Sequence, residues 1–358
     1  MTIDLEPPPA RAGQAEPTLT QPRLPRHVGR WALAAGVAAF AALHLLADRG
    51  TVASVAVAWS ACTIALPAWS LAVEGARKAT DRLVTALVTS AFGLAMFPLL
   101  SILWTVTAHG AGVLSGQFFT YSMRNVIGEG GGIYHALMGT LLITLATTVM
   151  SVPIGLFTAI YLVEYGGRSR LSSWITFLVD VMTGIPSIVA GLFAYALFVL
   201  FFGEGVRLGF AGAVALSVLM IPVVVRSCEE MLKLVPNELR EASYALGVPK
   251  WRTIVKVVLP TAVAGIVTGV TLAVARVIGE TAPLLIVAGV TDSLNLDLFD
   301  GRMATLPVFA YNSIQSPGFP PGPAIDRAWG AALVLMIIVM LLFLVARLIS
   351  YFFSPRQR

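Results

Sequence analysis

The 358-residue chain is 57% hydrophobic and only 12% charged, above the roughly 45–50% apolar content of soluble domains, which excludes both a single soluble core and a disordered chain. Its formal net charge of +5 sits in short loops between apolar runs, a distribution that points to membrane lipid and not to nucleic acid. Cys62 lies within one apolar run and Cys228 at the end of another, which argues against a disulfide framework or a metal cluster.

Residues 1–30 mix Pro with polar residues and show no apolar period, which predicts a disordered tail. Arg23, Arg26 and Arg30 precede an apolar run from Trp31 to Ala47 that is near the lower limit for crossing a bilayer. A cleaved signal peptide is the rival reading of this run. It would start unusually deep, however, and a second apolar run, Thr51 to Val73, follows after only Asp48, Arg49 and Gly50. Residues 31–73 therefore read as a membrane hairpin.

Further apolar segments run from Leu83 to Ala108, Tyr134 to Val163, Leu171 to Phe202, Leu208 to Val225, Pro260 to Val290 and Ala328 to Phe352. Most exceed the roughly 20 residues that cross a hydrocarbon layer, so the chain reads as an all-α polytopic membrane protein with about eight transmembrane helices. Pro153, Pro186 and Pro222 mark expected kinks. Residues 74–132 hold the first helix after the hairpin and an external loop, and residues 133–352 hold the remaining helices. Two longer segments, His109 to Gly132 and Thr291 to Arg327, lie outside the membrane; the second, with its SPGFPPGP stretch, reads as an irregular loop with a short helix. Gly128, Gly130, Gly131 and Gly132 lack the preceding strand and the following Lys-Ser or Lys-Thr of a phosphate-cradling loop. No Walker motif occurs, so the chain supplies no ATP hydrolysis and reads as a non-enzyme; His27, His44, His109 and His135 show no ligand spacing, and no metal or cofactor is assigned.

Residues 226–259 form the most polar interior loop. Pro236 suits a helix N1 position, Leu239, Ser243 and Leu246 share one face, and Glu238, Arg240 and Glu241 look elsewhere. Gly247 suits a left-handed cap and Pro249 restarts a second helix. A capped, polar helix-turn-helix between hydrophobic segments is a docking piece for a soluble partner.

Within the next span, Arg276 and Glu280 each cost about 2.5–3.5 kcal/mol near a helix centre. They read either as an i,i+4 ion pair that locks helix packing, or as an anion contact in which Arg276 offers a guanidinium fork, Glu280 holds it and Thr281 adds a hydroxyl donor. Thr183, Gly184, Pro186 and Ser187 interrupt another span, where they stabilise a kink or line a pathway. With the N-terminus on the cytoplasmic side, that side collects 18 Lys and Arg against five on the other, which places the 226–259 loop in the cytoplasm.

Glu241, Ala242, Gly247, Leu259 and Pro260 fall at the spacing of the EAA loop of ABC-importer permeases, with departures at Ser243 and Val257. ARVIGETAPLL from Ala275 to Leu285, GIPSIVAGLF from Gly184 to Phe193 and GGIYHALMGTL from Gly131 to Leu141 resemble the phosphate-specific permeases of the PstA type, over about residues 83–352. The resemblance implies a six-helix type-1 ABC importer core in a bacterial cytoplasmic membrane, both termini cytoplasmic, with the hairpin as an addition. It implies ATPase contact through Glu238, Glu241, Ala242, Gly247 and Pro260. It also implies a pathway for inorganic phosphate that uses Arg276, Glu280, Thr281, Thr183 and Ser187. The implied partners are a PstC-type permease, a pair of PstB-type ATPases and a PstS-type phosphate-binding protein seated on the external loops. The alternatives are a permease for molybdate or sulfate, an ion-coupled secondary transporter, which also places charges at the midplane, and a structural scaffold.

Overall fold

The computed structural model describes residues 24, 25, 27–46, 51–167 and 169–353. The tail expected over residues 1–30 lies mostly outside them, as does the turn at residues 48–50. Among the described residues the chain is helical and without strands: α1 (Val28–Leu46), α2 (Thr51–Glu74), α3 (Ala76–Gly110), α4 (Gly116–Thr120), α5 (Tyr134–Ile160), α6 (Arg170–Thr183) and α7 (Ser187–Phe202) are followed by α8 (Gly209–Lys233), α9 (Asn237–Ala245), α10 (Lys250–Thr253), α11 (Leu259–Val277), α12 (Ala282–Val287), α13 (Leu306–Gln315) and α14 (Gly322–Phe353). Among the described residues six helices are long and apolar enough to cross a membrane, or up to seven spans if α6 and α7 count as one bent span. The 19-residue α1 is not among these six, although its length lies within the range that can cross a bilayer. The all-α polytopic class is as the composition predicts.

Contacts divide the chain into two compact units, residues 1–102 and 103–358, so the division falls inside α3. In the first unit α1 packs on α2, and a Cβ at Gly36 would meet Cys62 Sγ at 2.7 Å. The end of α2 is fixed by Glu74, whose side chain is 3% exposed. Its carboxylate accepts from the Ser70 hydroxyl at 2.8 Å, from Arg82 Nε at 2.9 Å and from the Leu24 amide at 2.9 Å. A buried carboxylate with this many donors is a structural knot, because ionised groups stay buried only when paired and hydrogen-bonded.

In the second unit α8 is the central element, packed on α5, α11, α7 and α6. Its buried face carries Gly209, Ala211, Gly212, Ala213 and Ala215, small residues that let helix backbones approach where no hydrophobic effect drives association. The core continues through Leu216, Met220, Val224, Cys228 and Leu232 to the far end of the helix. α8 thus extends to Lys233, well past the expected end at Val225. The helices run on through Pro153 and Pro222, and of the three prolines marked for kinks only Pro186 stands at a break. At one end of the unit, Leu208 N–H donates to Val287 O and Met303 N–H to Ala288 O, while Leu306 N–H reaches the Thr140 hydroxyl at 2.8 Å. These bonds tie the starts of α5 and α8 to the segment between α12 and α13.

Candidate coupling element and pathway

At the opposite end of α8 the chain builds the predicted helix-turn-helix. Pro236, with φ −58° and ψ 140°, caps α9 one residue outside the expected N1 position. Gly247 closes it at φ +74°, where a Cβ would be strained. Val248 N–H donates to Ser243 O at 3.2 Å and Gly247 N–H to Tyr244 O at 2.9 Å, the two bonds of a Schellman turn. Pro249 caps α10, which continues through a π-helical turn, Ile254–Val258, into α11 with Pro260 in its first turn. The second helix of the motif and the membrane helix are therefore one stretch from Lys250 to Val277.

Two side chains fasten this element, and only one of them comes from the face expected to turn inward. Ser243 is buried and its hydroxyl lies 2.8 Å from Thr253 Oγ1, joining α9 to α10. Arg240, read from the sequence as facing elsewhere, is the principal anchor. Its Nε and NH2 donate to Glu164 Oε1 at 3.1 and 2.9 Å, NH1 to Val235 O at 2.6 Å and NH2 to Leu232 O at 3.0 Å. Leu232 O lies in the last turn of α8, where helix acceptors lack intrahelical partners, and Val235 O lies just beyond the helix. Glu164 sits in the π-helical turn Tyr161–Tyr165 that ends α5, with its side chain 4% exposed. Leu239 and Leu246, expected on the face of Ser243, are 41% and 83% exposed. They form an apolar rim with Tyr244, because Arg240 and Ser243 already occupy the contacts to the chain. Glu238, Glu241, Ala242, Gly247 and Pro260 are all exposed.

A second ionic cluster lies beside it. Arg226 donates to Glu229 Oε2 at 2.7 Å and also pairs with Asp180 of α6, while Lys233 donates to Glu229 Oε1 at 2.6 Å. Sequence reasoning missed Glu164, Asp180 and Glu229. The available signals were a lone acid at the edge of an apolar run for Glu164, an acid inside one for Asp180, and i,i+3 and i,i+4 spacing to Arg226 and Lys233 for Glu229.

The pathway candidates gather at two helix breaks. The expected single span Leu171–Phe202 is two helices, α6 and α7, bent by 108° across Gly184, Ile185 and Pro186. Proline disfavours helical backbone in the residue before it and supplies no N–H, which weakens the ladder here as at Pro153 and Pro222, but only at Pro186 does the helix end. Thr183 ends α6 with its hydroxyl donating to Val179 O at 2.9 Å, and Ser187 begins α7. The expected span Pro260–Val290 also breaks: α11 ends at Val277, Glu280 N–H donates to Val277 O at 3.1 Å, and α12 starts after Thr281.

The i,i+4 geometry assumed for Arg276 and Glu280 is therefore absent, since only Arg276 lies within the helix. Among the described residues no ion pair joins them. Arg276 is exposed in the last turn of α11, where the helix dipole favours a cation, and Glu280 is half-buried beyond the helix end. The broken elements meet through α7 and α12: a Cβ at Gly191, one turn beyond Ser187, would lie 2.7 Å from Pro283 Cα, two residues beyond Thr281. Thr183 is exposed, and its hydroxyl is spent within its own helix.

The family described as "Binding-protein-dependent transport system inner membrane component" matches residues 151–358. The phosphate transport system permease protein PstA 1 of Mycobacterium tuberculosis is 48% identical over 288 residues, covering 79% of this chain and 91% of that protein. PstA of Mycobacterium leprae is 47% identical over 266 residues, 74% of this chain and 86% of that protein. PstA of Yersinia pestis is 40% identical over 267 residues, 75% and 88% respectively. Among solved structures, the inward-facing MetNI methionine ABC transporter has a chain that shares this fold with a TM-score of 0.50 and 20% identity, covering 68% of this chain and all of that one. By this match over more than half its length, and by its identity with relatives across most of theirs, the chain belongs to the binding-protein-dependent inner membrane transport components, among the PstA-type permeases.

Proposed function

We propose that the chain is the permease subunit of an ATP-driven importer of inorganic phosphate and forms half of its translocation pathway. The observation that carries this reading is the coupling element: α9 and α10 are locked internally by the Gly247 turn and the Ser243–Thr253 contact, anchored by Arg240, and left with an apolar rim at Leu239, Tyr244 and Leu246. An exposed apolar rim on an otherwise polar, rigid element suits a protein partner. The partner of this chemistry is the ATPase, contacted through Glu238, Glu241, Ala242, Gly247 and Pro260. A secondary transporter has no such subunit to dock.

The remaining parts of the complex are those that the family resemblance implies: a PstC-type second permease, two PstB-type ATPases and a PstS-type binding protein. The Lys and Arg excess supports a cytoplasmic coupling element and cytoplasmic termini, and the Glu164–Arg240 contact brings the end of α5 to the same side as that element. Closure of the ATPases pushes on α9. The stretch Lys250–Val277 carries that push to Arg276 at its other end, where the guanidinium fork meets phosphate, with Glu280, Thr281, Ser187 and Thr183 around it. Residues 31–73 are an accessory hairpin in this scheme.

The test is uptake into vesicles containing the complex purified through this chain, with labelled phosphate, sulfate and molybdate offered in turn. ATP-dependent uptake of phosphate in clear preference is expected. Preference for sulfate or molybdate would transfer the assignment to another oxyanion, and uptake that ignores ATP would remove the coupling role.

A further inference from the structure

At the end of the second unit away from the coupling element, the loop around Met123–Gly128, α13 and the first turns of α14 enclose a cavity of about 260 Å³. The cation among its lining residues is Arg327, which is 8% exposed. Its NH1 donates to Gly128 O at 2.8 Å and to Gly130 O at 3.0 Å, carbonyls presented by a loop whose glycines stand at φ +76° and +88°. Its Nε is buried and has no hydrogen-bond partner. Among the described residues no acid is within ion-pair distance; Glu129 between the two glycines, Asp292 in the cavity lining and Asp326 next in sequence are all exposed.

A guanidinium taken out of water keeps its charge, and carbonyl dipoles offset only part of the lost hydration. This leaves a buried positive charge without an ion-pair partner beside a partly open cavity. The same space is lined by Asn312, Ser313 and Ser316, whose amide and hydroxyl groups can donate. None of the pathway residues at the helix breaks lines it.

We propose that this cavity is a binding site for a small inorganic oxyanion, with Arg327 as its counter-charge and Asn312, Ser313 and Ser316 as hydrogen-bond donors. A tetrahedral oxyanion has acceptors enough for these three side chains, with the guanidinium charge behind them. The site sits where the external loops converge, so an anion would occupy it before reaching the helix breaks. Binding here does not require phosphate to be the transported ion.

The full chain in lipid nanodiscs, carrying Arg276→Met to remove the other candidate anion contact, would be titrated with radiolabelled phosphate and, separately, sulfate. One saturable site for at least one of these ions is expected. Asn312→Leu and Ser313→Leu, which fill the cavity and leave the bonds to Gly128 and Gly130 alone, should each weaken it at least tenfold, and Arg327→Met should abolish it. Since Arg327→Met also releases two loop carbonyls, the cavity-filling variants decide the question. No saturable binding in the Arg276→Met protein, or binding unchanged by both cavity-filling variants, would overturn the proposal. Failure of ATP-dependent phosphate uptake by the complex with Arg276 in place, with this binding intact, would count against the transport assignment alone.

Discussion

From Leu234 to Val258 the polar groups that folding exposes are closed within the chain, whereas at the breaks around Gly184–Pro186 and Ile278–Thr281 they are left open. The coupling element spends both bonds of its Gly247 turn, the Ser243 hydroxyl and the Arg240 guanidinium on its own fold. Arg276 stands exposed at a helix end, and Glu280 lies beyond it without pairing to it. On the proposed function, the difference separates a part that transmits force from a part that exchanges partners. A transmitter works if it is stiff, and a site for a passing anion works only if its charge is not already neutralised from within.

The largest expected effect lies on the closed side. Arg240→Met removes the partner of buried Glu164 and uncaps the end of α8, and breaking a buried pair in this way costs about 3–5 kcal/mol. Thermal unfolding in detergent should shift strongly. Adding Glu164→Gln should recover a substantial part of the loss, because the unpaired charge is then gone. An unshifted midpoint in the single variant would show that the anchor is not structural.

Next in size is Gly191→Ala, which tests whether the open side still depends on packing. The added methyl would sit 2.7 Å from Pro283 Cα, and overpacking of this kind costs about 1–3 kcal/mol. Separation of α7 from α12 should lower phosphate uptake per assembled complex while leaving ATPase recovery normal. The opposite pattern would place Gly191 in assembly.

Gly247→Val is the smaller of the structural changes, at about 1–2 kcal/mol for a left-handed residue that now carries a branched Cβ. The fold should survive and ATPase co-purification should fall. Recovery and uptake that both stay at wild-type levels would end the coupling assignment.

How much of this could be read beforehand follows from the same division. The coupling element was legible because its signals are local: Gly247 at a cap, Pro249 at a restart, and a polar stretch between apolar ones. Its anchor was not, since the Arg240–Glu164 contact joins residues 76 positions apart. The breaks were harder still. Pro153, Pro186 and Pro222 look alike in an apolar run, and only the tertiary setting decides which one ends a helix. The second break is hidden because apolar residues resume at Pro283, so that Arg276 and Glu280 appear to share a helix. Arg327 counted only as one external charge in the sequence, and the glycines that hold it, Gly128 and Gly130, were recognised only for what they do not form.

The central claim is that the charge at Arg276 is kept open for an anion. It is tested most directly by phosphate uptake, normalised to assembled complex, in Arg276→Met with Glu280→Gln. The account predicts that the double variant assembles with its ATPase as wild type does, because the two residues do not hold each other, and that uptake is lost. Near-normal uptake by the assembled double variant would contradict the account and return both residues to helix packing.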